Sequence, residues 1–253
     1  MAINGRNYGY NGPSAPQYQS PIMSGSRTLN LGKVFGVMFL MLLATAGLAF
    51  GFGYLFYLWI INGGESAFNG VYTIFFISVF AAFGLTLAIQ FFALKQGKGM
   101  LVLTILYVLC MGIMCSSLVL FLDWRILGIA LGITSLIFGL LALIGLFAKN
   151  VRPMMMAGLM LIIGGSLVAL ITWIITLFLP STFNVGLLWI LDFAIFAGML
   201  LLVVVDMHNI AKICEQGEVS NNLTLYCALT LYSDFIYIFI KIAYYLAIFT
   251  NNR

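Results

Sequence analysis

Residues Leu223–Phe249 read LTLYCALTLYSDFIYIFIKIAYYLAIF. A run of this length exceeds the roughly 20 residues that a helix needs to cross the hydrocarbon core of a bilayer. It lacks the strict alternation of a lipid-facing barrel strand, and a continuous run in lipid satisfies its own backbone only as a helix. Yet it contains Asp234 and Lys241. An ionisable residue near the centre of such a helix costs roughly 2.5–3.5 kcal/mol on insertion scales, so it turns toward a cavity or a partner. Thr230, Asp234, Tyr237 and Lys241 stand at i, i+4, i+7 and i+11. At 3.6 residues per turn that spacing is one polar stripe, best buried against another helix.

Six further apolar runs precede this one: Val34–Ile61, Val71–Leu94, Met100–Leu122, Ile126–Ala148, Met154–Leu179 and Gly186–Val205. With 63% hydrophobic and 7% charged residues and a mean hydropathy of +1.13, the chain lies far outside globular composition. The expected fold is an all-α membrane protein, a bundle of seven transmembrane helices over residues 31–253. Short connections make successive helices antiparallel neighbours. Pairs of small residues, Gly47 with Gly51 and Gly128 with Gly132, are expected to let helix backbones approach. The first 30 residues, which contain Pro13, Pro16 and Pro21 among Gly, Asn, Ser and Tyr, are expected to form a disordered cytoplasmic tail.

Lys and Arg set the orientation. The N-terminal tail and the segments after spans 2, 4 and 6 hold Arg6, Arg27, Lys33, Lys95, Lys98, Lys149, Arg152 and Lys212; the opposite side has only Arg125 and Arg253. The N-terminus is therefore expected in the cytoplasm and the C-terminus outside, in a bacterial plasma membrane with an organelle membrane as the alternative. The net charge of +4 reflects juxtamembrane anchoring to the lipid bilayer and calls for no nucleic acid. The four cysteines show no CxxC or Cys/His spacing and are expected as buried bystanders.

The remaining intramembrane charges, Asp192 and Asp206, lie on span 6, where Asp206 and Asn209 share a face and Asp192 lies close to four whole turns before Asp206. At 1.5 Å per residue, Asp206 and Asp234 fall within about one turn of each other in depth. Two carboxylates close together in a low dielectric share a proton and titrate as a coupled pair, which makes a pH-sensitive latch. Ionised, they offer hard oxygens to a passing Ca²⁺ ion. Lys241 is expected to pair with Asp192 in the outer half, and His208 to lie on a different face at the membrane interface.

Two stretches near the C-terminus, VVVDMHNIAKI on span 6 and ALTLYSDFIYIF on span 7, resemble the Bax inhibitor motif family of seven-span membrane proteins. The resemblance implies a bundle with its semi-polar seventh helix near the centre and a pH-dependent Ca²⁺ leak governed by a di-aspartyl unit. The aspartates of that unit fall on Asp206 and Asp234, which would hold calcium transiently. A basic residue at the inner end of span 2, Lys95 or else Lys98, is implied as the closed-state partner of Asp206. Thr230, Tyr237, Asn209, Asp192 and Lys241 are the candidate pore-lining residues. The chain departs from the family pattern at Tyr237, where Asn is usual, in the added charge of Lys241, and in having Gln90 but no acidic residue on span 2.

No cofactor is expected, calcium and protons being the permeant or sensed species. No enzyme is expected either: the contexts VVVD and LYSD lack the signatures of an intramembrane aspartyl protease, and Ser166 is followed by Leu167 rather than by the glycine of a rhomboid-type site. The alternative function is a membrane scaffold or stress and cell-death regulator that acts through other membrane proteins without flux of its own.

Overall fold

The computed structural model describes residues 24–92, 99–178, 185–215 and 220–251. Among them are six helices: α1 (Ser24–Phe92), α2 (Gly99–Phe121), α3 (Trp124–Phe147), α4 (Arg152–Phe178), α5 (Val185–Glu215) and α6 (Asn221–Asn251). All six are long and apolar enough to span a bilayer, and the protein is an integral, multi-pass membrane protein. Side-chain oxygens accept from the backbone where three of the helices begin: Asp123 from Arg125 at α3, Asn150 from Arg152 at α4, and Ser220 from Leu223 at α6.

Where seven helices were expected, the described residues hold six, because the first two expected spans are joined in α1. A straight helix of 69 residues would run about 100 Å, more than three times the hydrocarbon core. It is not straight. Gly64 has φ 60° and ψ −140°, a conformation open to glycine and strained for any residue with a Cβ. The two arms touch beyond it: the rings of Phe56 and Phe75 meet edge to face at 5.5 Å, where about 28 Å would separate them along an unbroken helix. The Trp59 indole lies over Gly70, within 2.9 Å of where a Cβ would stand.

Helix α6 packs against α1, α2, α3 and α5, that is, against every other described helix except α4. Its Leu231, Tyr232 and Ile238 are fully buried. The polar side chains it must hide from lipid find partners there. Thr45 Oγ1 donates to Met41 O at 2.9 Å, so its contact with Tyr232 at 2.5 Å has the phenol as donor. Likewise Ser233 donates to Leu229 O, and Tyr107 OH donates to Ser233 at 3.3 Å.

Glycines do bring helices close, but not those expected. A Cβ on Gly47, Gly51, Gly128 or Gly132 would meet nothing within 4 Å, because these positions face open space rather than a neighbour. The close approaches are made elsewhere. Gly158 and Gly198 place each other's would-be Cβ within 3.0 and 2.9 Å of a carbonyl oxygen, joining α4 to α5. Gly145 on α3 sits 2.7 Å, by the same measure, from Val204 O on α5. Helix α4 touches α5 and no other described helix. An apolar cleft of about 740 Å³ opens between the first arm of α1 and α3, floored by Phe235, Ile236 and Phe239 of α6.

All four tryptophans fall at one end of the bundle: Trp59 just before the turn in α1, Trp124 at the start of α3, Trp173 near the end of α4 and Trp189 near the start of α5. Indole rings gather at a headgroup interface, so this end marks one membrane surface.

Gly145→Ala forces a methyl against backbone, and overpacking of this kind costs about 1–3 kcal/mol. Gly64→Ala strains the turn in α1 by a comparable amount, about 1–3 kcal/mol. Thermal unfolding of the detergent-solubilised protein should show a lower midpoint for both variants, while Gly128→Ala, which meets open space, should match the parent.

Candidate functional site

Helices α5 and α6 hold the charges the sequence places inside the bilayer, and they arrange them in two tiers. The tier nearer the tryptophan-marked end is made by Asp192 of α5 with Lys241 and Tyr245 of α6. Lys241 Nζ donates to Asp192 Oδ1 in a salt bridge, and Tyr245 OH donates to Asp192 Oδ2 at 2.8 Å. The expected pairing of Lys241 with Asp192 is therefore present. Both side chains keep some exposure, 22% for Lys241 and 32% for Asp192.

Tyr245 was not singled out from the sequence, although it stands four residues beyond Lys241 and so extends the same stripe. Aromatic rings surround the pair. Trp189 stacks on Tyr244 at 6.3 Å with 18° between the ring planes, and Phe196 meets Tyr245 edge to face at 5.8 Å.

The second tier holds Asp206 and Asp234. Asp206 is half-buried on α5, and Asp234 is half-buried on α6 with Oδ2 wholly buried and without a hydrogen-bond partner. The Asp206 carboxylate acts electrostatically on Asp234, but no hydrogen bond joins the two among the described contacts. Helix register accounts for the gap. Counted from the α5–α6 connection, Asp234 lies four residues deeper than Asp206, about 6 Å of rise; counted from the Asp192–Lys241 pair the offset is seven residues, about 10 Å. The antiparallel helices thus hold two carboxyls within each other's field and one to two turns apart.

The other candidates are scattered around these tiers. Thr230 Oγ1 donates to its own helix at Tyr226 O, 3.1 Å away. Tyr237 is half-buried between the tiers, within electrostatic reach of Asp192. Asn209 is exposed. Lys95 and Lys98, the candidate partners of Asp206, lie outside the described residues.

His208 has surroundings that the spacing of residues did not reveal. Expected at the level of the membrane interface, it is enclosed by protein, with 6% exposure, its Nδ1 3.3 Å from Gly145 O and its Nε2 without a partner. The reason is the close crossing of α3 and α5 at Gly145: with no side chain at that glycine, the imidazole reaches a backbone carbonyl that a bulkier residue would cover. No group of three or more His, Cys, Asp or Glu side chains that could hold a metal occurs among the described residues. An ion at the second tier would therefore keep much of its water, with Asp206 and Asp234 as acidic oxygen donors.

A family model described as inhibitor of apoptosis-promoting Bax1 matches residues 27–251, nearly the whole chain. Comparison with curated proteins and with solved structures gave no match.

Asp192→Asn leaves the Lys241 ammonium without its counter-charge, and Lys241→Met does the converse. Thermal or denaturant unfolding of both single variants and the double variant should give a coupling energy of about 0.5–3 kcal/mol, as for other side chains in direct contact. Strict additivity would show that the pair contributes nothing to the fold.

Proposed function

Because this chain belongs to the Bax inhibitor family, we propose that it is a pH-sensitive calcium leak channel gated by Asp206 and Asp234 on α5 and α6. The observation that carries this reading is the Asp234 carboxyl, held inside the bundle with Oδ2 unpartnered and in the field of Asp206 from the facing helix. A buried carboxylate with no donor is costly, and a second negative charge nearby adds to that cost. Two remedies exist, a proton and a cation. Each stabilises a different state of the same pair, and competition between them is what couples calcium passage to pH.

In this scheme the two arms of α1 are separate crossings, so that the chain spans the membrane seven times with its N-terminus in the cytoplasm. The excess of Lys and Arg on the side opposite the tryptophans supports that orientation. Lys95 or Lys98 holds Asp206 when the path is closed. Asp192 and Lys241 line its outer half together with Tyr237, and the unpaired positive charge that would repel an entering cation is cancelled by their salt bridge. The protein needs no cofactor and performs no covalent chemistry; its working partners are the bilayer, calcium and protons.

Calcium flux into proteoliposomes, measured across pH for the parent, Asp206→Asn and Asp234→Asn, tests the scheme. The parent should show flux that changes with pH, and each variant should flatten the profile, since amides neither titrate nor bind calcium as carboxylates do. Three superimposable profiles would remove the aspartate latch.

A further inference from the structure

The first tier has features that neither ion passage nor helix pairing requires. Lys241 has one hydrogen-bond partner among the described residues, Asp192, which leaves two of its three N–H donors free. Lys241 lines a hollow of about 410 Å³ whose walls are largely apolar, Leu118, Phe121, Leu122 and Ile240 among them, with Ser117, Asp192 and Tyr244 also bordering it. On the far side of the salt bridge lies a second hollow, of about 380 Å³, lined by Asp192, Trp189 and Tyr244. Asp192 and Tyr244 border both hollows, whereas Lys241 lines only the first and Trp189 only the second, so the two adjoin across the salt bridge.

This charge arrangement selects its ligand. Taken together the site is neutral, because Asp192 and Lys241 cancel, yet the cation lines the first hollow alone, while the second has the carboxylate and the Trp189 ring without the cation. A net anion would meet Asp192, and a net cation would meet Lys241. A zwitterion whose charges are separated by a few bonds satisfies both. Its phosphate would take the free N–H donors of Lys241, and its ammonium would rest against Asp192 beside the outer surface of the stacked Trp189 and Tyr244 rings, cation–π contact being a recurring mode of quaternary-ammonium recognition. Trp189 is 37% exposed and Tyr244 49%, so the rings are open to such a guest.

Depth points to the source of the zwitterion. Asp192 is seven residues, about 10 Å, inside the start of α5, one turn below Trp189 at the tryptophan-marked interface. At that level phospholipid headgroups meet acyl chains, and the apolar walls below Lys241 suit a chain entering beside the phosphate. We propose that Asp192, Lys241, Trp189 and Tyr244 form a binding site for a zwitterionic phospholipid headgroup of the phosphocholine or phosphoethanolamine type. The inference uses none of the second-tier residues, while Asp192 and Lys241 are shared with the outer half of the proposed calcium path.

Native mass spectrometry of the delipidated full-length protein tests it, with phosphatidylethanolamine and phosphatidylcholine titrated against phosphatidylglycerol and diacylglycerol of matched chains. The parent should retain the zwitterionic lipids at least tenfold better than the other two. Trp189→Leu and Tyr244→Leu, which keep the salt bridge, should each lose about tenfold of that preference while retaining the parent's unfolding midpoint to within a few degrees. Lys241→Gln should abolish it. Equal retention of all four lipids by the parent, or an undiminished preference in both ring variants, would overturn the proposal. So would displacement of the bound lipid by soluble glycerophosphocholine at equimolar concentration, because the guest would then be a free solute rather than a membrane lipid.

Discussion

A transmembrane helix that carries charge has to be covered, and this requirement organises the whole molecule. Helix α6 carries Asp234 and Lys241 along a stripe that lipid cannot solvate. It therefore sits where α1, α2, α3 and α5 all reach it, and its hydroxyl and phenol groups find partners on those neighbours: Tyr232 at Thr45, Ser233 at Tyr107, Lys241 and Tyr245 at Asp192. Helix α4 carries no charge within the apolar run, its Thr172 hydroxyl is satisfied within its own helix at Val168 O, and it stays at the periphery.

Much of this could be read from the residues. The boundaries of four helices, and the start of α5, follow from where the apolar runs begin and end, because in lipid a backbone group outside a helix has no partner to fall back on; α5 continues past its run at Val205 to Glu215. The polar stripe of α6 and its facing charges on α5 follow from spacing alone, and so does the Asp192–Lys241 pair. The two C-terminal stretches were specific enough to indicate a family that the match over residues 27–251 then established.

Other features needed coordinates, for reasons that can be stated. The ends of the first two apolar runs place a turn between residues 61 and 71, but that one helical run continues through it and turns at Gly64 depends on one glycine among several, and the GG at residues 63–64 is no more glycine-rich than GFG at residues 51–53, which stays helical. Which glycines face a neighbour depends on helix rotation, which a small-xxx-small pattern does not specify; hence the close contacts are at Gly145, Gly158 and Gly198 rather than at Gly47 or Gly128. The burial of His208 has the same origin. The offset between Asp206 and Asp234 depends on where the α5–α6 connection lets each helix start, a register that spacing within either helix leaves open.

The attachment of α4 has a mechanical consequence. Its contact with α5 brings Gly158 and Gly198 together, each with the other's carbonyl close by, and Leu161 and Ile162 of α4 and Leu201 and Leu202 of α5 pack about them. Beyond α5 it meets only lipid. A tilt of α5 that changes the distance between its Asp206 and Asp234 of α6 carries α4 with it, and beyond α4 the movement is opposed by a fluid instead of a packed core. Compliance is built into the outer wall of the bundle, while the inner wall, held by Tyr232 and its neighbours, remains the fixed frame against which that movement is measured.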